Sequence, residues 1–518
     1  MSNIPFALRS ATLAATLSAT SIAAAVEPVE LAHSDPHDWQ QYGYDVAVSG
    51  DYAVVGAPYH DGLGEKAGEA YVWKLDGSSW TLLQTLASEA VHTPEEYDYF
   101  GTSVAIDGDL IAVWHAEGGP EEHSPGIVET FHLSSITGLF TSSGVLEGSY
   151  DTSGTFDDMV DDFGYSMAID GNTLAVGGGY FSWTHNAWCG QIWIFTWDGA
   201  SWSEAQRFVN ASPTAFDGFG GSVDLDGDLL VAGAADRTTP GDGAGVAFIF
   251  ERYAGVFSQT DVLLDPDGSW TDQFGIAVAV SGTVIAVGDP KENDEGSHEG
   301  GAVCVYEQVD GIWTLCTTLQ DCRGVGGNLG SSVALDGNVL VAGAPGYTDD
   351  YSADGAVMSF ERQSATNWPQ TAHLESTDPT SGAYLGASVA VDGDVLIAGE
   401  PGHVQGNGDD SGNMLAWHAS WVQDADLDTV PDWYQLANGD SHDWDGNCIP
   451  DEAECLGDIT SVSWQTLDGV VDVRDLTYLI DHFGQAGSGS AGAADLDEDD
   501  RVTMNDLIWM LLTWGECP

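Results

Sequence analysis

Short runs of Val, Ala, Ile and Leu recur in pairs from Tyr42 to Glu400, each pair split by a glycine-containing turn, as in SVAIDGDLIAV from Ser103 and SVALDGNVLVAG from Ser332. Apolar runs this short, broken by Asp-Gly or Ser-Gly, predict strands joined by two-residue hairpin turns with positive φ. Each pair opens on an aromatic residue or leucine and then glycine: Tyr42-Gly43, Phe100-Gly101, Phe163-Gly164, Phe219-Gly220, Phe274-Gly275, Leu329-Gly330 and Leu385-Gly386, with 55–63 residues between successive glycines. Self-similarity at a fixed period marks a repeat array. Within a period a variable loop leads to a second hairpin, such as GEAYVWKLDGSSWTLLQTL from Gly68, so each unit holds four antiparallel strands. Seven such units predict an all-β, seven-bladed propeller. An immunoglobulin-like sandwich needs about 100 residues, and solenoid units are mostly shorter than about 50.

The first strand of each unit alternates large and small residues, as in Val46-Ala47-Val48 and Val389-Ala390-Val391, which predicts burial of both faces against neighbouring blades; Asp224 breaks the alternation in blade four. The seventh unit runs through Trp421 without a fourth strand. Val29-Glu30-Leu31-Ala32, which precedes the first unit as LLQTLAS precedes the second, is the expected replacement. Closure through the N-terminus removes exposed strand edges.

Composition changes the picture in one respect: 82 acidic residues face 11 basic ones among 518, a formal charge of −71. Phosphate binding needs clustered Lys and Arg, so nucleic acid is excluded as a partner and metal cations are expected as ligands. A solvated acidic surface accounts for many of the carboxylates. Residues 1–25, with Arg9 before an apolar stretch ending Ala23-Ala24-Ala25, have the pattern of a secretory signal peptide, and no later run is long enough for a membrane span. A secreted or cell-surface location is expected. Seven cysteines fit an oxidising compartment, with at least one unpaired and the connectivity open.

After the propeller, residues 26–422, carboxylates fall at alternate positions, as calcium loops require. In residues 423–456, Asp424, Asp426, Asp428 and Asp432 take loop positions one, three, five and nine. A second loop places Asp443, Asp445, Asn447, the Ile449 carbonyl, Asp451 and Glu454 at one, three, five, seven, nine and twelve. Both resemble thrombospondin type 3 repeats; the alternative is a polar linker extended by charge repulsion. In residues 457–518 two loop-plus-helix segments follow. The second sets Asp495, Asp497, Asp499, the Arg501 carbonyl, Thr503 and Asp506 in EF-hand-type spacing, and the first keeps Asp468, Asp472 and Asp475.

A duplicated calcium loop and helix resembles a type I dockerin, which implies calcium as cofactor and a cohesin-type protein partner. The partner-reading surface would lie near Leu476-Thr477-Tyr478 and Leu507-Ile508-Trp509, residues that equally suit a helix core. The repeats resemble FG-GAP repeats, the units of the integrin α-chain propeller, through Phe100-Gly101, Phe163-Gly164, Phe219-Gly220, Phe274-Gly275 and the Gly-Ala-Pro triplets at Gly56 and Gly343. The tight turns here lack the Asp-rich loop of calcium-binding members of that family.

Strand polarity places the tight turns on one rim and the variable loops on the other, which is the expected face for protein or polysaccharide. That face is expected to carry Asp61, Glu95, Glu96, Asp98, Asp157, Asp158, Asp161, Asp162, Asp349, Asp350, Asp354, Asp409 and Asp410. Trp80, Trp202 and Trp313 stand at matching places after hairpin turns and are expected to pack within the repeats. No HExxH motif, nucleophile elbow or phosphate-cradling loop is present, so a secreted, calcium-dependent binding or scaffold-docking protein is expected rather than an enzyme. The alternatives are a dockerin-tethered polysaccharide-degrading propeller, glycosidase or lyase, and a calcium-held adhesion protein without a cohesin partner.

Overall fold

The computed structural model describes residues 28–418 apart from 32–39, 62–63, 89–96, 117–125, 149–158, 183–186, 210–217, 236–243, 267–271, 292–299, 310, 322–326, 349–352, 377–381 and 405–410, together with 470–471 and 515–516. Seven four-stranded antiparallel sheets follow one another as the blades of a propeller. Blade one comprises Val46–Ser49, Tyr52–Ala57, Glu69–Asp76 and Ser79–Leu86. Blades two to six repeat this order from first strands Val104–Asp107, Met159–Asp170, Ser222–Asp226, Val278–Ser281 and Ser332–Asp336. Blade seven takes Val389–Asp392, Val395–Glu400 and Asn413–His418 from the chain's later part and Val29–Glu30 from its start. Val29 pairs with Ala416, Glu30 with Leu415, and the Leu31 N–H donates to the Met414 carbonyl at 3.0 Å, so the expected closure is present. Tyr42 adds a parallel bridge to Gly412.

The core is divided into apolar clusters that each lie between two successive blades. First-strand side chains sort by direction. The large ones, such as Val46, Val104, Val223 and Val389, pack toward the preceding blade, and the small ones, such as Ala47 and Ala279, toward the next. The alternation therefore reflects two different neighbours. Both faces are thus covered by neighbouring blades, as expected, while in several blades most residues of this strand are half-buried because its free edge faces an axial lumen. The second strands are the fully buried ones.

The aromatic-glycine pair forms a β-turn that starts each blade. The Thr102 N–H returns to the Tyr99 carbonyl at 3.2 Å and Ile276 N–H to Gln273 at 3.0 Å, with Gly101 and Gly275 at φ of 96° and 88°. This is the position of a type II turn that calls for glycine. The preceding ring or leucine is buried, Phe100, Phe163 and Phe274 completely. A second glycine, on the second strand, admits the next blade: a Cβ on Gly56 would lie 1.9 Å from the Gly101 carbonyl oxygen, and Gly233, Gly288, Gly343 and Gly399 stand equally close to their neighbours. Blade two substitutes Trp114, whose indole N–H donates to the Phe163 carbonyl at 2.5 Å.

The hairpin turn differs in detail from the expectation. Asp107 pairs across with Leu110, so the central residues are Gly108-Asp109, and the Asp ends the strand instead of occupying the turn. Glycine at the first central position, with φ of 55°, is the II′ arrangement. The carboxylate is thereby released to reach the next blade. Gly171 N–H donates to Asp107 Oδ2 at 2.7 Å, Gly227 to Asp170 at 2.7 Å, Gly282 to Asp226 at 2.5 Å and Gly393 to Asp336 at 2.8 Å. Serine serves at two interfaces, Gly108 to Ser49 at 3.0 Å and Gly337 to Ser281 at 3.1 Å. Gly50 to Asp392 at 2.5 Å joins blade seven to blade one. Every interface in the ring thus carries the same clasp.

The third strands carry an aromatic residue at one register in all blades: Trp73, Phe131, Phe195, Phe250, Tyr306, Phe360 and Trp417, all buried. In blades one to six it directly follows a bulge against the outer strand, which increases the local twist of the sheet. Trp80, Trp202 and Trp313 pack against inter-blade clusters as expected, joined by Trp368 in blade six. Beyond the propeller, Val470–Val471 pairs antiparallel with Gly515–Glu516.

Deleting residues 26–33 removes the outer strand of blade seven and the burial of Leu31. A loss of about 3 kcal/mol or more is expected for a core leucine and its pairings, seen in a thermal melt as a fall of about 5–10 °C. An unchanged melting temperature would refute closure through this segment.

Candidate functional site

The first strands of all seven blades line an axial lumen of about 460 Å³. Its wall is layered by the repeat. Two residues after each turn glycine stand Asp45, Ser103, Ser166, Ser222, Ala277, Ser332 and Ser388. The serines sew blade to blade: Ser166, Ser222 and Ser332 donate to the next blade's glycine carbonyl at 2.8, 2.9 and 2.8 Å. Ser388 donates to Asp45 Oδ1 at 2.8 Å, and Asp45 Oδ2 accepts the Val104 N–H at 2.8 Å, so one carboxylate bridges blades seven, one and two.

Two positions further along lies a ring of alanines in which blade four carries Asp224. Its Oδ2 accepts the Val280 N–H of blade five at 2.7 Å, covering a backbone donor on the inner strand edge. Burial pushes Asp224 up to about 6, against the Val280 and Leu225 hydrogen bonds and with help from Asp226 and Asp170. Asp45 is raised by burial too, its hydrogen bonds from Val104, Ser388, Val46 and Ser103 opposing the rise. Among the described lining residues these two are the charged ones, and none is Lys, Arg or His.

The lumen opens on the variable rim past Tyr44, Thr102, Tyr165, Gly221, Ile276, Ser331 and Ala387. Tyr44 is 39% exposed and Tyr165 59%. Burial raises the Tyr44 pKa, and the nearby Tyr165 and Tyr59 hydroxyls add to the rise. Beside this mouth the second-to-third loop of blade one and the connection to blade two build an aromatic patch. Tyr59 and Tyr99 meet edge to face at 5.3 Å, and the Lys66 ammonium lies 5.4 Å from the Tyr59 ring and 5.7 Å from Tyr97. Lys66, Tyr97 and Tyr99 hold positive φ of 54°, 72° and 51°, conformations uncommon for bulky residues that mark a precisely shaped surface.

The rim acids expected from sequence divide. Asp61 is exposed and its Oδ1 accepts the Lys66 N–H at 2.7 Å. Asp354 is half-buried, and Asp98 is completely buried, which removes it from the solvated set. Asp161 and Asp162 lie in the first strand of blade three. Glu95, Glu96, Asp157, Asp158, Asp349, Asp350, Asp409 and Asp410 lie outside the described residues, as do residues 1–25 and every assigned calcium ligand from Asp424 through Asp506. No group of three or more metal-ligating side chains occurs among the described residues. Cys304 and Cys316 are thiols.

Sequence reasoning also passed over two buried histidine–acid pairs at equivalent loops. His60 Nδ1 lies 3.5 Å from Glu69 Oε2, which accepts the Tyr71 hydroxyl at 2.6 Å, and His403 Nδ1 lies 3.2 Å from Glu400 Oε2. Both histidines start loops that return to the third strand, with Gly68 and Gly412 N–H donating to their carbonyls at 3.0 and 3.1 Å. They hold the loops in place.

The class defined by this fold is a seven-bladed β-propeller of four-stranded antiparallel blades. The family model described as FG-GAP repeat matches residues 26–73, 202–250, 257–306 and 368–414, so these four stretches of the propeller are similar to FG-GAP repeats. Each match combines the outer strand of one blade with the inner strands of the next. The first begins with the strand that closes blade seven. Among solved structures, the β-propeller domain of the Trilobed protease from Pyrococcus furiosus is similar at 12% identity and a TM-score of 0.43, over 74% of this chain and 97% of that one. The periplasmic gluconolactonase of Pseudomonas aeruginosa is similar at 15% identity and a TM-score of 0.41, over 68% and 88%. No curated protein matches the chain in sequence.

Asp224 has a sign that can be measured. Its folded pKa, about 6, exceeds the ordinary 3.8, so the folded state binds the proton more tightly. The stabilising contribution is complete below the ordinary value and is lost as pH rises through about 6. Asp224→Asn keeps an acceptor for Val280 and is expected to be more stable than the native chain at pH 7.5, by about 1–3 kcal/mol, with a flatter dependence of Tm on pH across this window. Equal slopes in the two proteins would refute the assignment.

Proposed function

We propose that this is a secreted binding protein, not an enzyme, in which the propeller presents a protein or polysaccharide ligand on the variable rim and the acidic tail provides calcium-dependent attachment. The observation that carries the reading is a contrast between the two rims. On the turn rim every interface repeats one clasp. At the lumen mouth the equivalent residue is Tyr44, Thr102, Tyr165, Gly221, Ile276, Ser331 or Ala387. A rigid ring with one uniform face and one varied face suits recognition by the varied one. Tyrosine contributes large contact area with little entropy to lose and a hydroxyl for orientation, as ligand surfaces require.

Retention of the full chain on immobilised polysaccharides and on candidate surface proteins tests the rim. The double variant Tyr44→Ala/Tyr165→Ala is expected to bind at least about tenfold more weakly, the loss of roughly 1.4 kcal/mol or more, with an unchanged melting temperature. Undiminished binding would place recognition elsewhere, and release of soluble sugar that these substitutions abolish would favour the polysaccharide-degrading alternative.

The tail reading rests on ligand spacing in Asp443–Glu454 and Asp495–Asp506, and on the dockerin resemblance for its cohesin-type partner. Calcium is expected to protect residues 423–518 of the full chain from limited proteolysis. Asp497→Ala/Asp499→Ala should remove that protection for the last sixty or so residues. Identical digestion with calcium and with chelator would end the calcium assignment.

A further inference from the structure

We infer that the axial lumen binds a short linear polyamine, with ammonium groups meeting Asp45 near the variable rim and Asp224 deeper inside. Unlike the proposed rim function, this rests on the lumen wall alone. The two carboxylates are half-buried and line the same cavity, whose described lining contains no basic side chain. They belong to blades one and four of seven, so they stand on opposite sides of the axis. Asp224 lies two residues further along its strand than Asp45 does along its own, an offset along the lumen of about 6–7 Å at about 3.3 Å per residue.

This diagonal arrangement discriminates between cations. A divalent metal needs several oxygens converging within about 2.6 Å, and no such group of side chains occurs among the described residues. Two separated anions instead match a cation charged at both ends. The wall between them is formed by the Val, Ala, Ile and Met residues of the inner strands, which accommodate a methylene chain. An ionised carboxylate offers about four acceptor sites. Asp224 uses part of this capacity on the Val280 and Leu225 N–H groups, whereas Asp45 accepts from Val46, Ser388, Val104 and Ser103 and acts on an ammonium through its charge alone. Burial raises the proton affinity of both acids against their hydrogen bonds, and an ammonium beside them would offset that desolvation. At the entrance, the exposed Tyr44 and Tyr165 rings offer π faces to an approaching ammonium. The net charge of −71 concentrates cations around the whole molecule, so the test must separate lumen binding from surface attraction.

Isothermal titration of the full chain with putrescine and spermidine, in saturating calcium and physiological salt, provides that separation. The expected result is a single site of unit stoichiometry above a weak, salt-screened background. Asp224→Asn and Asp45→Asn should each weaken it at least tenfold and leave the background unchanged, and the uncharged diol analogue of putrescine should give no heat of binding. Should Asp45→Asn fail to fold, Asp224→Asn decides alone, since it is expected to fold more stably than the native chain. Absence of the saturable site, or a site that survives Asp224→Asn, would overturn the inference.

Discussion

The structure depends on a hydrogen bond between blades: the side chain that ends each first strand accepts the turn glycine N–H of the next blade. Five carboxylates and two serines make this contact, at 2.5–3.1 Å, and the last one returns from Asp392 to Gly50. A charged acceptor makes such bonds shorter and stronger than neutral ones, but all except the part-buried Gly227–Asp170 bond are exposed to water and modest by themselves. Their collective effect comes from geometry. An identical contact repeated around a ring imposes an identical rotation between neighbours, and only one number of blades closes it. The other inter-blade features conform to that rotation. Glycine on the second strand lets the neighbouring carbonyl approach, small residues face forward and large ones back. Where blade two carries Trp114 in place of glycine, the indole donates to the Phe163 carbonyl, so the wider contact retains a polar link.

Closure follows from the phase of the repeat. A unit begins with an outer strand and continues into the next blade's inner strands, so the first unit's outer strand, Val29–Glu30, completes blade seven. The ends of the ring are joined by backbone pairing, by Tyr42 against Gly412, and by the Ser388–Asp45 bond. Four independent contacts, counting the Asp392 clasp, cross the one interface the chain does not otherwise span. A rim built on so constrained a ring can vary its side chains without altering their positions, which is the mechanical basis of the recognition proposed there.

Blade number, strand order and closure were legible because they depend on local signals: glycine turns, apolar runs and a fixed period. The clasp was not. Asp107 and Gly171 are 64 residues apart, and an Asp before Gly reads equally as a turn former until the register shows that it ends the strand. The aromatic on each third strand was visible as composition, but its shared register emerged only from pairing with the second strand. Asp98 shows the converse failure. Neighbouring Glu95 and Glu96 suggested a solvated acidic loop, whereas proximity to the buried Phe100 turn places Asp98 inside. Asp224 was recognisable as an exception to the alanine ring, yet only the structure supplies its bond to Val280 and its place in the lumen.

That exception bears on function. An alanine at this register serves blades one, two, three, five, six and seven, and it buries no charge. Asp224 accepts one backbone N–H from the neighbouring blade and one from Leu225 beside it, each a net gain on the order of 1 kcal/mol. Its displaced titration shows desolvation outweighing the hydrogen bonds at neutral pH. Asp45, by contrast, joins three blades and has a structural role sufficient to account for it. Six equivalent alanines avoid the burial that Asp224 undergoes, and the inferred polyamine site would give Asp224 a use in the folded ring. The lumen, open to the rim and with no basic side chain in its described lining, supplies the room for such a ligand.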